Sequence, residues 1–518
     1  MSHWRYIMKL EKVSREYVMP HSVLPASLYT AEQTRALDQT AINSGVPGFK
    51  LMQRAGHAAF DRLRHRWPEA CSVTVLCGGG NNGGDGFVVA VLAQRLGMQV
   101  QLLCIGPEDF SSGLTGEALQ AWNWLLEEQV PYQHYAGQPF VGELVIDALL
   151  GTGIAGTVRG DFQRAINQLN RTDTPVVALD IPSGLCSDTG AVMGVAVRAD
   201  MTVTFIGVKR GLLTHQGPEY VGELLFDSLR VSDDVYESVE VAGFITGADD
   251  VSHLLPPREE TAHKGSCGHV LVVGGDTGMG GAVIMAAQAA GRCGAGLVTV
   301  ATRTAHLAPL LTRCPEAMAV GVRSGAELDR YIQRADVLVV GPGLGKHAWG
   351  EQLLMAALKS EKPLVLDADA LNLLGQRGVF GQLKGGNWVV TPHPGEAARL
   401  LDCSVADVQA DRFAAVVALQ SAFGGVALLK GPGSLSFDGD AIHLNPTGNP
   451  GMASGGMGDV LSGVIGALIA QGLSSGDAAR LGAWLHGAAA DRNAEQKGTR
   501  GMQATDLLAQ LRLLVNGL

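Results

Sequence analysis

The chain reads as an α/β protein of two domains, each a parallel sheet with helices on both faces. Three observations predict this. Short apolar runs alternate with helical stretches twice, over about residues 73–205 and again over about 269–429. The alternation lapses between Asp227 and Lys264, where the sequence turns acidic and carries Pro256-Pro257. Glycine makes up 69 of 518 residues, about 13% against an average near 7%. Many of these glycines follow the apolar runs, where tight βα turns need them.

Taken in order, Thr30-Ala-Glu-Gln33 is a capping box that opens a first helix, and a second amphipathic helix follows over 48–67. Strands are predicted at 73–77, 100–105, 144–149, 176–180 and 201–205. A domain boundary falls at 235–245, dividing the chain into 1–240 and 241–518, with an extended connector to about 263. Alternation then restarts with strands at 269–273, 297–301, 337–340, 364–366, 388–390 and 427–429. Helices at about 456–472, 476–495 and 503–515 close the chain. Each half is long enough to close its own core, so the halves are expected to be separable near the boundary.

Composition excludes several classes. The net charge of −11 and a pI near 5.7 argue against a nucleic-acid binder that relies on neutralising phosphates. No apolar run reaches 18 residues; the longest candidate, 460–470, stops at Gln471, so no membrane span is expected. The first twenty residues are interspersed with charges and read as a frayed arm, unlike a signal peptide. The eight cysteines are scattered without a CxxC, which reads as reduced thiols in a cytoplasmic protein, with no zinc site and no disulfide framework.

Three loops of the first half carry chemistry. Cys77-Gly-Gly-Gly-Asn-Asn-Gly-Gly-Asp-Gly86 stands between a strand and a helix, a place where backbone N–H groups and the helix dipole attract anions. It is neither G-x-G-x-x-G nor a P-loop ending in Lys-Ser/Thr, which weakens both the hydride-transfer and the P-loop readings. Alone it is as readily a glycine-rich turn. The stretches running from Asp147 to Thr157 and from Leu179 to Gly184 follow the next two strands, and loops after parallel strands converge on one crevice. Asn82, Asp147 and Ser183 then offer hard oxygen ligands for a cation, and Asp180 an acid or base. In isolation Asp180 reads as a cap before Pro182.

These three motifs, in this order, resemble the YjeF N-terminal domain, the NAD(P)H-hydrate epimerase family, over about 25–235. The resemblance implies a Rossmann-like α/β/α sandwich. It also implies interconversion of the R and S epimers of NADHX and NADPHX, the reduced nicotinamide dinucleotides hydrated at C6. By the same resemblance Asn82, Asp147 and Ser183 hold potassium. Asn81, Asn82, Gly83, Gly84 and Asp85 bind the dinucleotide together with Gly151, Thr152, Gly153, Ile154, Ala155, Gly156 and Thr157. Asp180 contacts the substrate and transfers a proton. Cys186 departs from the polar residue commoner after Pro-Ser-Gly-Leu, outside the ligand set.

The second half has five loops at predicted strand ends: Gly274-Gly275, Gly341 to Gly345, Asp367 to Asn372, Thr391 to Glu396, and Lys430-Gly-Pro-Gly-Ser434. Each alone is an ordinary βα turn. The most informative stretch, Asn449 to Asp459, is a glycine run leading into an apolar helix. It combines an anion cradle with an acidic residue able to deprotonate a hydroxyl facing a phosphoryl group. The alternative is that Asp459 caps its helix.

The set resembles the ribokinase-like superfamily and, within it, the YjeF C-terminal domain, NAD(P)H-hydrate dehydratase, over about 245–515. That implies phosphorylation of the C6 hydroxyl by an adenine nucleotide and loss of phosphate to regenerate NAD(P)H. Ala282, Gly343 and His393 contact the hydrate; Lys430, Gly431, Pro432, Gly433, Ser434 and Gly458 contact the nucleotide; Asp459 is the base. Met457 replaces a small hydroxyl residue. The fused order resembles bacterial bifunctional enzymes and implies ADP as co-substrate with Mg2+, giving AMP; the residues themselves do not separate ADP from ATP. A homo-oligomer is expected. One alternative is a hydroxymethyl-pyrimidine or thiazole kinase with an accessory nucleotide domain, against which Thr391 to Glu396 and Gly341 to Gly345 weigh. Another is a decapping-type interaction module, against which the intact loops and the acidic charge weigh.

Overall fold

The computed structural model describes residues 24–154, 156–376 and 386–518. The N-terminal arm through residue 23, Ala155 and the segment 377–385 lie outside the described residues.

The first half contributes strands β1 (Ser27–Tyr29), β2 (Ser72–Cys77), β3 (Gln99–Cys104), β4 (Tyr132–His134), β5 (Leu144–Ala148), β6 (Val176–Leu179), β7 (Met201–Phe205), β8 (Val208–Lys209) and β9 (Glu223–Asp227). Seven of them form a parallel sheet in the order β4-β3-β2-β5-β6-β7-β9. Its central strands are buried along their length, because helices cover both faces. The predicted capping box forms: the Thr30 hydroxyl accepts from the Gln33 N–H while the Gln33 side chain accepts from the Thr30 N–H.

The second half adds β10 (Gly243–Ile245), β11 (His269–Val273), β12 (Leu297–Thr302), β13 (Met318–Gly321), β14 (Val337–Val340), β15 (Leu364–Leu366), β16 (Trp388–Val390), β17 (Val426–Leu429), β18 (Ser434–Phe437) and β19 (Ile442–Asn445). From β13 to β17 the pairing is parallel, and β17-β18-β19 is an antiparallel meander. The sheet then continues through β10 into β1 and β8 of the first half, giving the order β13-β12-β11-β14-β15-β16-β17-β18-β19-β10-β1-β8. The stretch expected to separate the domains therefore leads into a strand that pairs with both halves. One apolar cluster likewise runs from Leu28, Leu212 and Leu213 to Leu429, Leu435 and Leu444.

Three closing helices stand at Met457–Ala470, Ser475–Lys497 and Leu507–Leu514. Gly463 lets the first of them meet the helix Gly280–Arg292 backbone to backbone; a Cβ there would collide with the Ala286 carbonyl. All eight cysteines are free, and five of them are buried.

Candidate active sites

At the carboxyl ends of β2, β5, β6 and β7 lies a cavity of about 480 Å³. The helix after β2 begins at Asn81, earlier than the sequence suggests, so Asn81, Asn82 and Asp85 belong to its first turns. The glycines of that segment serve packing. A Cβ on Gly84 would lie 2.6 Å from the Met52 sulfur, and one on Gly86 2.6 Å from the Cys77 sulfur.

Asn82, Asp147 and Ser183 converge beneath the cavity. The Ser183 hydroxyl donates to Asp147 Oδ1 at 2.6 Å and its N–H to Oδ2 at 2.8 Å. Burial holds the Asp147 carboxyl up at about 6 against the pull of these bonds. Asn82 Nδ2 donates to the Leu150 carbonyl at 3.2 Å, which leaves Asn82 Oδ1 buried without a hydrogen-bond partner among the described residues.

Asp180 follows β6 with φ of 63°, and Ile206 beside it has φ of 56°; both line the cavity in the left-handed region, where non-glycine residues are strained. Asp180 Oδ1 accepts from the Phe205 N–H at 3.2 Å and is bridged by the fully buried Lys209 ammonium. Lys209 also donates to Thr204 Oγ1 (3.1 Å) and the Phe205 carbonyl (3.0 Å). Two further carboxyls face this pair. Burial pushes Asp38 up to about 6, with Lys209 drawing it down and Asp180 pushing it up. Burial, then Asp180 and Asp38, raise Asp85 well above the carboxylate range. One buried cation thus serves several acids, an arrangement suited to holding and moving protons.

The second site lies where β15, β16 and β17 end. Asp367 Oδ1 accepts from Lys430 Nζ at 2.8 Å and from Thr391 Oγ1 at 2.9 Å, and Oδ2 from Ser462 Oγ at 2.8 Å. Burial alone would raise this carboxyl, but Lys430 and the three bonds hold it below the usual range. The helix Met457–Ala470 starts from Gly456, at φ of 91°, and has no side-chain cap. Asp459 stands in its first turn without the capping bond that the alternative reading required. Burial, with Asp367 adding to it, raises the Asp459 carboxyl to about 7. Gly458 adjoins Asp367 and Lys430, each 3.3 Å from where a Cβ would stand.

His393 caps the helix Pro394–Leu401, its Nδ1 accepting from the Gly395 N–H at 3.0 Å; that assigns the ring proton to Nε2. Burial and the neighbouring Lys430 and Arg399 lower its pKa and keep it neutral at pH 7. Ala282 and Gly343 adjoin, a Cβ on Gly343 lying 3.3 Å from that of Ala282.

A family model described as NAD(P)H-hydrate dehydratase matches residues 270–513, and one described as YjeF-related protein N-terminus matches residues 48–211. The bifunctional NAD(P)H-hydrate repair enzyme Nnr of Coxiella burnetii is 48% identical over 94% of this chain and 99% of its own. The Escherichia coli enzyme of the same name is 45% identical over 95% of each chain. The bifunctional NAD(P)H-hydrate repair enzyme of Leishmania infantum is 41% identical over 98% of this chain and 95% of its own. This chain belongs to the bifunctional NAD(P)H-hydrate repair enzyme family. A solved ADP/ATP-dependent NAD(P)H-hydrate dehydratase from Bacillus subtilis, co-crystallised with ATP and Mg2+, is 26% identical with a TM-score of 0.47, covering 52% of this chain and 96% of its own.

In this family member, Asn81, Asn82, Asp85, Gly151, Thr152, Gly153, Ile154 and Asp180 line the first cavity. Gly83 and Gly84 are buried in helix packing, and Gly156 and Thr157 are not among the lining residues. Ala155 lies outside the described residues. Sequence reasoning missed Lys209 and Asp38 in the first site, and Asp367, Glu396 and His486 in the second. A signal for Lys209 was available: it directly follows the uncharged, largely apolar stretch from Met201 to Val208. His486 Nε2 is buried without a hydrogen-bond partner among the described residues, and burial beside Lys430 lowers its pKa to about 4, so it stays neutral.

Proposed function

We propose that residues up to 240 epimerise NADHX and NADPHX and that residues 241–518 dehydrate the S epimers with ADP. The observation that carries the reading is Asp459: a carboxyl with a pKa near neutrality, free of capping duty, behind an uncapped glycine turn and beside the Lys430–Asp367 pair.

In the dehydratase site, Ala282, Gly343 and His393 hold the hydrate. Lys430, Gly431, Pro432, Gly433, Ser434 and Gly458 hold the nucleotide, and Mg2+, when bound, would supply countercharge for phosphoryl transfer. The Asp459 carboxylate takes the proton of the C6 hydroxyl, whose oxygen attacks the terminal phosphoryl group of ADP and releases AMP. The C6–O bond then breaks, phosphate leaves with the electron pair, and loss of the C5 proton restores the ring double bond.

In the epimerase site, Asn81, Asn82, Asp85, Gly151, Thr152, Gly153 and Ile154 line the dinucleotide's place, with Gly83 and Gly84 packed in the first turns of the helix and Gly156 and Thr157 further along the second loop. C6 carries a hydroxyl and is bonded to the ring nitrogen. Inversion needs a proton delivered to the departing oxygen and withdrawn when water returns to the opposite face. Asp180, tethered to Lys209, is the group proposed for that transfer. The orphaned Asn82 oxygen, the Asp147 carboxylate and the Ser183 hydroxyl fit a potassium ion, whose charge would screen the dinucleotide phosphates.

The test is stoichiometric: S-NADHX incubated with ADP and Mg2+ should yield NADH and AMP one for one. NADH without AMP would refute the phosphorylation step.

A further inference from the structure

Lys209 faces the first cavity, and within six residues the same chain reaches the second half. The 3-10 turn Arg210–Leu213 follows directly, and the Arg210 guanidinium stacks 4.2 Å from the Phe413 ring centre. Thr214 is fully buried and bonds the loop Lys430 to Ser434: its Oγ1 lies 3.3 Å from the Pro432 carbonyl and 3.2 Å from that of Gly433. The His215 N–H donates to the Pro432 carbonyl at 3.2 Å. Gly433 has φ of 60°, and a Cβ on it would collide with the Leu213 carbonyl and come within 2.7 Å of the Thr214 Cα. This glycine therefore serves the approach of the other half.

From the opposite side the loop is held by Arg412, which is fully buried and has no ion-pair partner among the described residues. Its guanidinium donates to the Leu429, Lys430 and Gly433 carbonyls at 3.3–3.4 Å and to Gln409 Oε1 at 2.9 Å. Its Nε donates to Thr214 Oγ1 at 3.2 Å. A cation buried among carbonyls is costly unless all its donors are met, so the loop's shape, Arg412 and Thr214 are set together.

We infer that Thr214 and Arg412 are positioning residues for the nucleotide loop, so that the epimerase half completes the nucleotide site of the dehydratase half. The inference rests on the reading of Lys430 to Ser434 as that loop. Neither residue touches the reacting atoms; they fix the backbone carbonyls, and through them the direction of the N–H groups and of Lys430.

The test uses the full chain with Thr214→Val, which keeps the volume and removes the hydroxyl, and Thr214→Ser, which restores it. Binding of ADP is measured by calorimetry alongside steady-state dehydration and epimerisation. For Thr214→Val the Kd and KM for ADP are expected to rise about tenfold, the usual scale for hydrogen bonds shared with a charged group. The kcat at saturating ADP, the KM for the hydrate and the epimerisation rate should stay within about twofold, and Thr214→Ser should recover most of the ADP affinity. If Thr214→Val binds ADP as tightly as the wild-type chain, the positioning role is wrong. Equal losses of kcat, hydrate binding and epimerisation would show a general folding defect and also overturn it. A wild-type chain that binds no adenine nucleotide would refute the nucleotide-loop reading itself, a failure distinct from the other two.

Discussion

Replacing Asp459 by Asn removes a base and relieves a burden on the fold in one step. Asn keeps the size of the side chain, and no capping bond is lost, because Asp459 makes none. It cannot take the hydroxyl proton, so dehydration should fall by the general-base contribution of about 10²–10⁴-fold, mainly in kcat. The wild-type pH profile carries the matching signature. With the carboxyl at about 7, roughly half is ionised at pH 7 and about a tenth at pH 6. Dehydration should therefore drop about fivefold between those values and rise less than twofold from pH 7 to 8.

Stability runs the other way. A carboxyl raised from 3.8 to about 7 in the fold opposes folding once ionised. That cost is absent below about pH 3.8, grows as pH rises, and is complete above 7, reaching on the order of 4 kcal/mol. Asp459→Asn should thus be the more heat-resistant protein at pH 8, with the gain shrinking towards pH 4. The assay is the pair of rates on one purified variant, with melting curves at both pH values. Retained dehydration would remove Asp459 from the mechanism. Loss of epimerisation as well would contradict the assignment of the two reactions to separate sites.

Three other outcomes are expected. Lys209→Met leaves Asp180, Asp38 and Asp85 without their buried cation. Epimerisation should fall at least tenfold, and unfolding curves should show about 3–5 kcal/mol lost; because Asp38 then rises further above 6, the loss should steepen from pH 6 to 8. Asp147→Asn preserves the shape of the Ser183 pocket but not its charge, so activation of epimerisation by KCl should weaken; an unchanged potassium titration would exclude Asp147 from a cation site. Gly463→Ala pushes a methyl into the Ala286 carbonyl, which should cost about 1–3 kcal/mol of overpacking. It should impair dehydration more than epimerisation, read from melting curves and the two rates.

The sequence made visible those parts of the fold that are local. Eleven apolar runs became strands because parallel strands buried on both faces must be apolar throughout. Asp180 and Asp459 were legible because each stands at a strand end or glycine turn. Among the missed strands, β1, β4, β8 and β10 are only two or three residues long, too short to show a period, while β9 and β13 are partly exposed sheet-edge strands of five and four residues. The β18–β19 hairpin was missed despite a usable sign: Asp438-Gly439-Asp440, with Gly439 at φ of 102°, is turn chemistry between two short runs. Lys209, Asp38 and Asp367 escaped as site residues for a different reason. Each is a single charged residue whose partners come from other segments, as Asp367 meets Lys430 63 positions later. The role of Gly433 was equally invisible, since its neighbour in space is Leu213.

That one chain carries both steps is tested most directly by a single absorbance trace. Purified protein is incubated with a mixture of R- and S-NADHX, with and without ADP and Mg2+. With nucleotide, absorbance of the reduced nicotinamide should return for the whole mixture; without it, none should. Recovery of only the S share, at a rate for the R share no faster than without enzyme, would contradict the epimerase assignment. Recovery without nucleotide would contradict the dehydratase mechanism.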